Sequence, residues 1–178
     1  MFIQIISCEL RVAESATRFD CRSLSGAEKT GADAGKQSEP GSKLRFSVLL
    51  SVREPDLRLN PSQVLQLLSL RPGLAEHACR QQGLGRFGEK VHFASLPHIV
   101  EHLLIDRLVE EYGFQVAGNT RWQNRATGSA RVTVQTLTTE APTSEHPRHP
   151  LQARFDQLLQ QAIRELEEVL HQPIDADA

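Results

Sequence analysis

Hydrophobic residues recur with the period of a strand or of a helix in seven segments of the chain. Segments rich in isoleucine, leucine and valine predict strands, whereas apolar residues three and four positions apart predict helices. In chain order the pattern predicts strands at 2–12 and 44–52, a helix that begins at Pro61, a helix at 96–112, strands at 114–117 and 130–137, and a helix at 151–171. This order predicts an α+β fold in which helices cover a small mixed or antiparallel sheet.

The helix predicted at 96–112 is the segment in which the apolar pattern is interrupted. Ser95 is a suitable N-cap, Pro97 fits the first turn, and Gly113 is suited to end the helix. The first half is apolar on nearly every side except at two histidines and one glutamate, which predicts that polar groups are buried there. We expect the second half to be solvated, because it carries Asp106, Arg107, Glu110 and Glu111.

Two segments depart from the composition of a packed domain. Gly, Ala, Ser, Lys and Glu dominate at 23–43, which predicts a flexible insertion between two strands, because such a segment buries too little apolar surface to offset its ordering entropy. The acidic C-terminal segment 173–178 predicts a disordered tail. The segment 119–127 is polar and predicts a loop. The rest is long enough for one core, so we predict a single domain spanning 1–178.

Composition and charge exclude several classes of partner. The chain has 178 residues and a formal net charge of -2, with a pI near 6.4, so it has no general attraction to nucleic acid or to an anionic membrane. The three cysteines are scattered and form no Cys-x-x-Cys pair, which predicts a reducing compartment. No segment has the apolar length of a membrane span or of a signal peptide, so we expect a cytoplasmic protein. Whether it forms a homo-oligomer stays open.

The interrupted helix contains the pattern His-x-x-Glu-His, as His98, Glu101 and His102. His98 and His102 are one helical turn apart and therefore lie on one face, where both imidazoles can bind a single metal ion. Zinc suits this ligand set because it accepts neutral imidazole in a tetrahedral site that keeps one open position. Glu101 is predicted to be the general base that activates water at that zinc site.

A zinc site of this kind needs a third protein ligand, and the sequence offers alternatives. Glu140 follows the strand predicted at 130–137 and would complete a His/His/Glu set. His77 is the alternative. Cys79 can also bind zinc as a thiolate, but a buried structural role is the more common one for a cysteine of this kind.

Two further groups of residues have candidate binding roles. Arg121 and Arg125 flank Trp122, and together with Arg80 and Arg86 they are candidates for binding a substrate carboxylate, because arginine offers bidentate geometry. The alternative is an exposed basic loop anchored by a packed tryptophan.

The glycines at 83, 85 and 88 match the Gly-x-Gly-x-x-Gly pattern of phosphate-binding loops, but no predicted strand leads into the pattern and no predicted helix follows it. A tight loop whose glycines adopt positive φ is the favoured interpretation.

The segment 70–79 (Leu-Arg-Pro-Gly-Leu-Ala-Glu-His-Ala-Cys), followed by 85–87 (Gly-Arg-Phe) and 98–102 (His-Ile-Val-Glu-His), resembles the N-terminal domain of cyanophycin synthetases. Further short matches occur in the same order up to Glu140, so that the resemblance covers roughly 44–140. It implies the fold of the pitrilysin-type inverzincin metallopeptidases, with zinc bound by His98 and His102. In that family the domain can cut or hold cyanophycin, a poly-aspartate that carries arginine on each side chain.

The resemblance implies Glu101 as the base and places His77 and Glu140 at matching positions. The sequence carries no ligase module, so polymer synthesis is not implied. The predicted function is zinc-dependent hydrolysis of a peptide or amide bond, with a peptide or an amide polymer such as cyanophycin as the substrate. The alternatives are a non-catalytic module that binds a polymer or peptide, and a structural partner of a larger enzyme.

Overall fold

A computed structural model describes residues 1–13, 43–80, 83–113, 115–136 and 148–171. The strands are β1 (Ile3–Ala13), β2 (Lys43–Val52), β3 (Ala78–Cys79), β4 (Gly85–Arg86), β5 (Val116–Asn124) and β6 (Ser129–Thr136). The helices are α1 (Pro61–Leu70), α2 (Phe87–Lys90), α3 (Leu96–Tyr112) and α4 (Arg148–His171), and short 3-10 helices lie at Pro72–Glu76 and Val91–Phe93. The insertion predicted at 23–43 lies outside the described residues except for Lys43, and so does the tail predicted at 173–178. No helix among the described residues is long and apolar enough to cross a membrane.

Four strands form one antiparallel sheet in the order β1-β2-β6-β5. The α+β class and the antiparallel sheet predicted from the sequence are therefore confirmed. β2 and β6 are the central strands, and their alternating residues place Phe46, Val48 and Val132 in the core. Phe46 stacks on Phe155 of α4 with ring centroids 4.1 Å apart. Both long helices pack on this face, and β5 is left at the edge beside α3.

The sequence places the ends of α3 correctly. Gly113 ends the helix at a φ of 66°, and its N–H donates to the carbonyl oxygen of Val109. Ser95 has the extended backbone of an N-cap but makes no capping bond through its side chain. The N-terminal half is buried, which is why its polar residues need partners within the protein.

The expectation that the second half of α3 is solvated is wrong for two of its four charged residues. The Arg107 side chain is only 10% exposed and pairs with Glu165 of α4 at 2.5 Å. Asp106 lies 3.6 Å from Arg71, which also pairs with Glu165 at 3.1 Å. These charges hold α3 to α4 and to the end of α1, so the charged pattern marks a contact between helices.

The prediction of a loop at 119–127 is wrong, because most of that segment belongs to β5. Its polar composition concealed a strand whose residues are exposed on one face and half-buried on the other. A register shift between Trp122 and Asn124 bends the strand before the turn to β6. A strand at the edge of a sheet can be this polar because only one side of its backbone is paired.

The glycine segment also differs from the predicted loop. Ala78 and Cys79 pair with Arg86 and Gly85 in a two-stranded ladder, and α2 follows directly. Of the three glycines in the pattern, only Gly83 has a positive φ, at 100°. Lys90 Nζ donates to the carbonyl oxygens of Gly83 and Cys79, so a lysine side chain packs against the ladder.

Two glycines with similar φ provide a test of the turn between β5 and β6. A Cβ on Gly128, at a φ of 69°, would lie 1.9 Å from the Val52 carbonyl oxygen, whereas a Cβ on Gly113, at a φ of 66°, meets nothing within 4 Å. Gly113→Ala should therefore cost only the left-handed backbone penalty of about 1 kcal/mol. Gly128→Ala should cost roughly 3 kcal/mol or more, because backbone must also move. Urea unfolding of both variants measures the difference, and equal losses would contradict this packing.

Candidate metal site

Three elements bring the candidate residues together. α3 contributes His98, Glu101 and His102 from its buried N-terminal half. The short strand β3 contributes Cys79 from the opposite wall. β5 runs alongside α3 and supplies the half-buried residues that contact Glu101. The helical motif therefore forms one wall of a site whose other walls come from distant parts of the chain.

Cys79, His98 and His102 form a compact group of metal-binding side chains. One candidate ligand atom from each lies within 4.8 Å of the others. Cys79 Sγ is 3.3 Å from His98 Nε2, and the two imidazole rings are 4.8 Å apart, edge to face. Cys79 and His102 are buried, while His98 is half-buried and faces the cleft. A thiol and two imidazoles at this separation can converge on one metal ion with modest adjustment.

Glu101 is held by two contacts to the same oxygen of its carboxylate. It is 4% exposed, and its Oε2 accepts a hydrogen bond from Thr120 Oγ1 at 2.5 Å. The same oxygen is 3.5 Å from His98 Nδ1, so the carboxylate also faces the ring of the first histidine. A Cβ on Gly118 would lie 2.5 Å from Glu101 Oε1, which shows that only glycine leaves room for this side chain.

His102 is fixed by packing on its ring. Phe87, the first residue of α2, stacks on it with ring centroids 4.0 Å apart and an interplanar angle of 22°. Burial, and to a smaller extent the proximity of His98 and His77, lowers the pKa of His102 from 6.5 to about 3. The ring is therefore neutral at physiological pH, the form in which histidine binds a metal.

His77, the alternative third ligand, lies beside His102 but is not part of the compact group. Its Nδ1 is 3.4 Å from His102 Nδ1, and its Nε2 is 3.4 Å from Asp106 Oδ1. This arrangement leaves His102 Nε2 for a metal ion while His77 and Asp106 orient the ring from behind. Such outer partners of a ligating histidine are common in metal sites.

The group opens into a cleft of about 1100 Å3 between α3, β3 and β5. Glu101 and the three candidate ligands line it together with Trp122 and Arg80. Five consecutive residues of β5, 116–120, also line it. Because successive residues of a strand face opposite sides, the cleft must run along the open edge of β5.

The structure brings together only some of the residues that the sequence predicts to hold the metal. His98, His102 and Glu101 are adjacent, and Cys79, for which the sequence favoured a structural role, lies beside them as a further candidate ligand. Glu140 lies outside the described residues, so its role as third ligand stays a prediction. The signal for Cys79 was its position two residues after His77, but its approach to α3 depends on the β3–β4 ladder.

The predicted substrate-binding residues are mostly not at the cleft. Trp122 lines it. Arg121 is exposed on the other face of β5, and Arg125 pairs with Asp56 at 2.5 Å while its guanidinium lies 5.9 Å from the centroid of the Trp122 ring. These contacts support the alternative interpretation of a packed tryptophan with exposed arginines.

Arg86 pairs with Glu76 at 2.6 Å and is also not one of the residues that line the cleft. Arg80, a candidate of the same kind as Arg86, is exposed and lines it next to Cys79. Among the described residues, the arginine best placed to meet a ligand therefore comes from the segment after β3.

Comparison with known proteins identifies no family for this chain. No protein-family model matches the chain, and no curated protein matches its sequence significantly. The resemblance to the N-terminal domain of cyanophycin synthetases thus stays a prediction from short motifs.

The lowered pKa of His102 predicts a pH dependence of stability for the metal-free protein. Below pH 6.5 the unfolded chain takes up a proton at this histidine and the folded chain does not until about pH 3, so stability falls as the pH falls through that range. The contribution is up to about 1.4 kcal/mol per pH unit. Urea unfolding between pH 7.5 and 4.5, with a chelator present, should show a shallower decline for His102→Leu. Identical pH dependence in the two proteins would contradict burial of a neutral imidazole.

Proposed function

We propose that the chain is a zinc-dependent hydrolase that cleaves a peptide or amide bond. The observation that carries this proposal is the compact group of Cys79, His98 and His102, open to a cleft beside the buried carboxylate Glu101. One thiolate and two imidazoles suit zinc, which binds sulfur and nitrogen ligands and, with three of them, keeps a position open. The same donors are poor ligands for magnesium or calcium, which prefer oxygen.

In this reaction the side chains around the site would each have a separate role. Bound zinc would supply Lewis acidity, which polarises a carbonyl group and makes water a stronger acid. Glu101 would accept the proton of the attacking water and later deliver it to the leaving amine. Thr120 donates to Glu101 Oε2 and would keep the carboxylate facing the cleft during both transfers. His77 and Asp106 would orient His102.

A peptide substrate is supported by the course of the cleft along β5. This strand ends the sheet and pairs with β6 alone among the described strands, so its other edge offers backbone N–H and C=O groups that no described strand pairs with. An extended peptide can pair with such an edge through its own main chain. That pairing would bring an amide bond past Glu101, because Gly118 and Thr120 of β5 contact its carboxylate.

Metal content tests the ligand group. Protein purified without added zinc should contain roughly one zinc ion per chain. His98→Ala combined with His102→Ala should remove it, as measured by inductively coupled plasma mass spectrometry. The matched control is His92→Ala combined with His171→Ala, since both of those histidines are exposed. Stoichiometric zinc that persists in the first double variant would contradict the proposed site.

Substitution of Glu101 separates catalysis from binding. Glu101→Gln retains an acceptor for Thr120 but cannot take up a proton, so hydrolysis should fall by about 100-fold or more while zinc is kept. The exposed Glu168→Gln is the control. Activity would be measured on a panel of peptides that includes cyanophycin. A wild-type protein that binds but cleaves none of them would instead support the non-catalytic binding module.

A second candidate function is hydrolysis by a cysteine nucleophile. It is favoured by the order in which Cys79, His98 and Glu101 contact one another. Cys79 Sγ is 3.3 Å from its Nε2, and Glu101 Oε2 is 3.5 Å from its Nδ1. This is the order of nucleophile, base and orienting carboxylate. Sγ would attack a carbonyl carbon while His98 takes the thiol proton and passes it to the leaving amine, and water would then cleave the thioester. A chelator distinguishes the two candidates, because it should abolish activity only if zinc is required.

A further inference from the structure

The side of α3 that faces the cleft changes from polar to aliphatic along the helix. His98, His102, Ile105 and Val109 are spaced by four, three and four residues and therefore lie on one side of the helix. All four line the cleft. The first two are metal-ligand candidates and the last two are aliphatic. From His102 to Val109 the helix advances about 10 Å, which is roughly the length of three residues of an extended peptide.

The opposite wall is apolar at the same end. β5 places Gly118 and Thr120 against Glu101, and Val116 lies two residues before Gly118 on the same face of the strand. Val116 also lines the cleft. Val109 is 44% exposed although it is a large aliphatic residue. An exposed apolar surface inside a cleft, continuous with a candidate reaction site, is typical of a surface that a ligand covers.

Charge in the cleft argues against an arginine-rich ligand. Among the described residues that line it, Glu101 is the only carboxylate, and it is already engaged by Thr120 and His98. Arg80 is the only lysine or arginine in the same lining. A polymer with a guanidinium on every residue would therefore find no free anion among these lining residues and would meet the like charge of Arg80.

We infer that Ile105, Val109 and Val116 form a subsite for an aliphatic side chain of the substrate, located within three residues of the bond at Glu101. The inference deepens the proposed function, since it assumes that a peptide occupies the cleft. It replaces cyanophycin with peptides that carry leucine, isoleucine or valine beside the cleaved bond. Specificity then comes from apolar contact at one end of the cleft and main-chain pairing along β5.

Trp122 provides a direct binding assay, because it is the single tryptophan of the chain and it lines the cleft. The probes are blocked pentapeptides, Ac-Ala-Ala-X-Ala-Ala-NH2, in which X is leucine, glycine, arginine or glutamate. They would be titrated into zinc-loaded Glu101→Gln, which should bind without turnover. The leucine peptide should bind about tenfold more tightly than the glycine peptide, and the arginine peptide should show no such gain.

Val109→Lys tests the subsite itself. A cation near the C-terminus of a helix is favourable, so the variant should fold. It should lose the tenfold preference for leucine and gain affinity for the glutamate peptide. The control is Leu65→Lys on α1, where a leucine that is 71% exposed lies outside the residues lining the cleft. Val109→Ser is a milder second variant that should weaken the preference without adding charge.

The outcomes separate this inference from the hydrolase proposal. A leucine preference that Val109→Lys removes supports the subsite, even if the wild type cleaves none of the four peptides. Cleavage of all four peptides with equal KM overturns the subsite and leaves the hydrolase proposal standing. Tightest binding of the arginine peptide, unchanged preference in Val109→Lys, or the absence of any response from Trp122 also overturns the subsite.

Discussion

The carboxylate of Glu101 connects the helix that carries the motif to the edge of the sheet. A carboxylate that is 4% exposed needs hydrogen-bonding partners, because an unpaired buried charge costs several kcal/mol. Thr120 supplies a hydroxyl group, and Gly118 supplies the space in which the side chain fits. Both belong to β5, so the position of the carboxylate fixes how α3 and β5 lie beside each other. The cleft between them follows from that fixed contact.

The same contact orients the side chains around it. Because Glu101 faces His98 Nδ1, the other nitrogen of that ring faces Cys79. His102 is oriented independently, by the stacked ring of Phe87 and by His77. Each candidate ligand on α3 thus has a second contact that sets its rotation, as precise metal sites require. The apolar surroundings of α3 serve to position polar groups as well as to stabilise the fold.

The sequence predicts the elements whose pattern is periodic and local. It does not predict contacts between residues that are far apart in the chain. Spacing alone put His98 and His102 on one face and Gly113 at the end of α3, and alternation identified the two central strands. The sequence predicts only the first residues of β5, because an edge strand needs little apolar surface and its polar residues 119–124 resemble a loop. The sequence favoured a structural role for Cys79 over metal binding, because its approach to α3 depends on the β3–β4 ladder, which is held by pairing with Gly85 and Arg86. No local pattern encodes that approach.

Charge balance favours a cation at the centre of the site. The group places the carboxylate of Glu101 and the thiol of Cys79 on either side of His98, and His102 is neutral because its pKa is about 3. The nearby lysine, Lys90, donates to carbonyl oxygens of the β3–β4 region, and Arg80 lies at the exposed rim. Because metal ligands bind in their deprotonated forms, a bound cation would be held by a thiolate and two neutral imidazoles. A site of these four side chains is therefore better suited to a metal cation than to an anion.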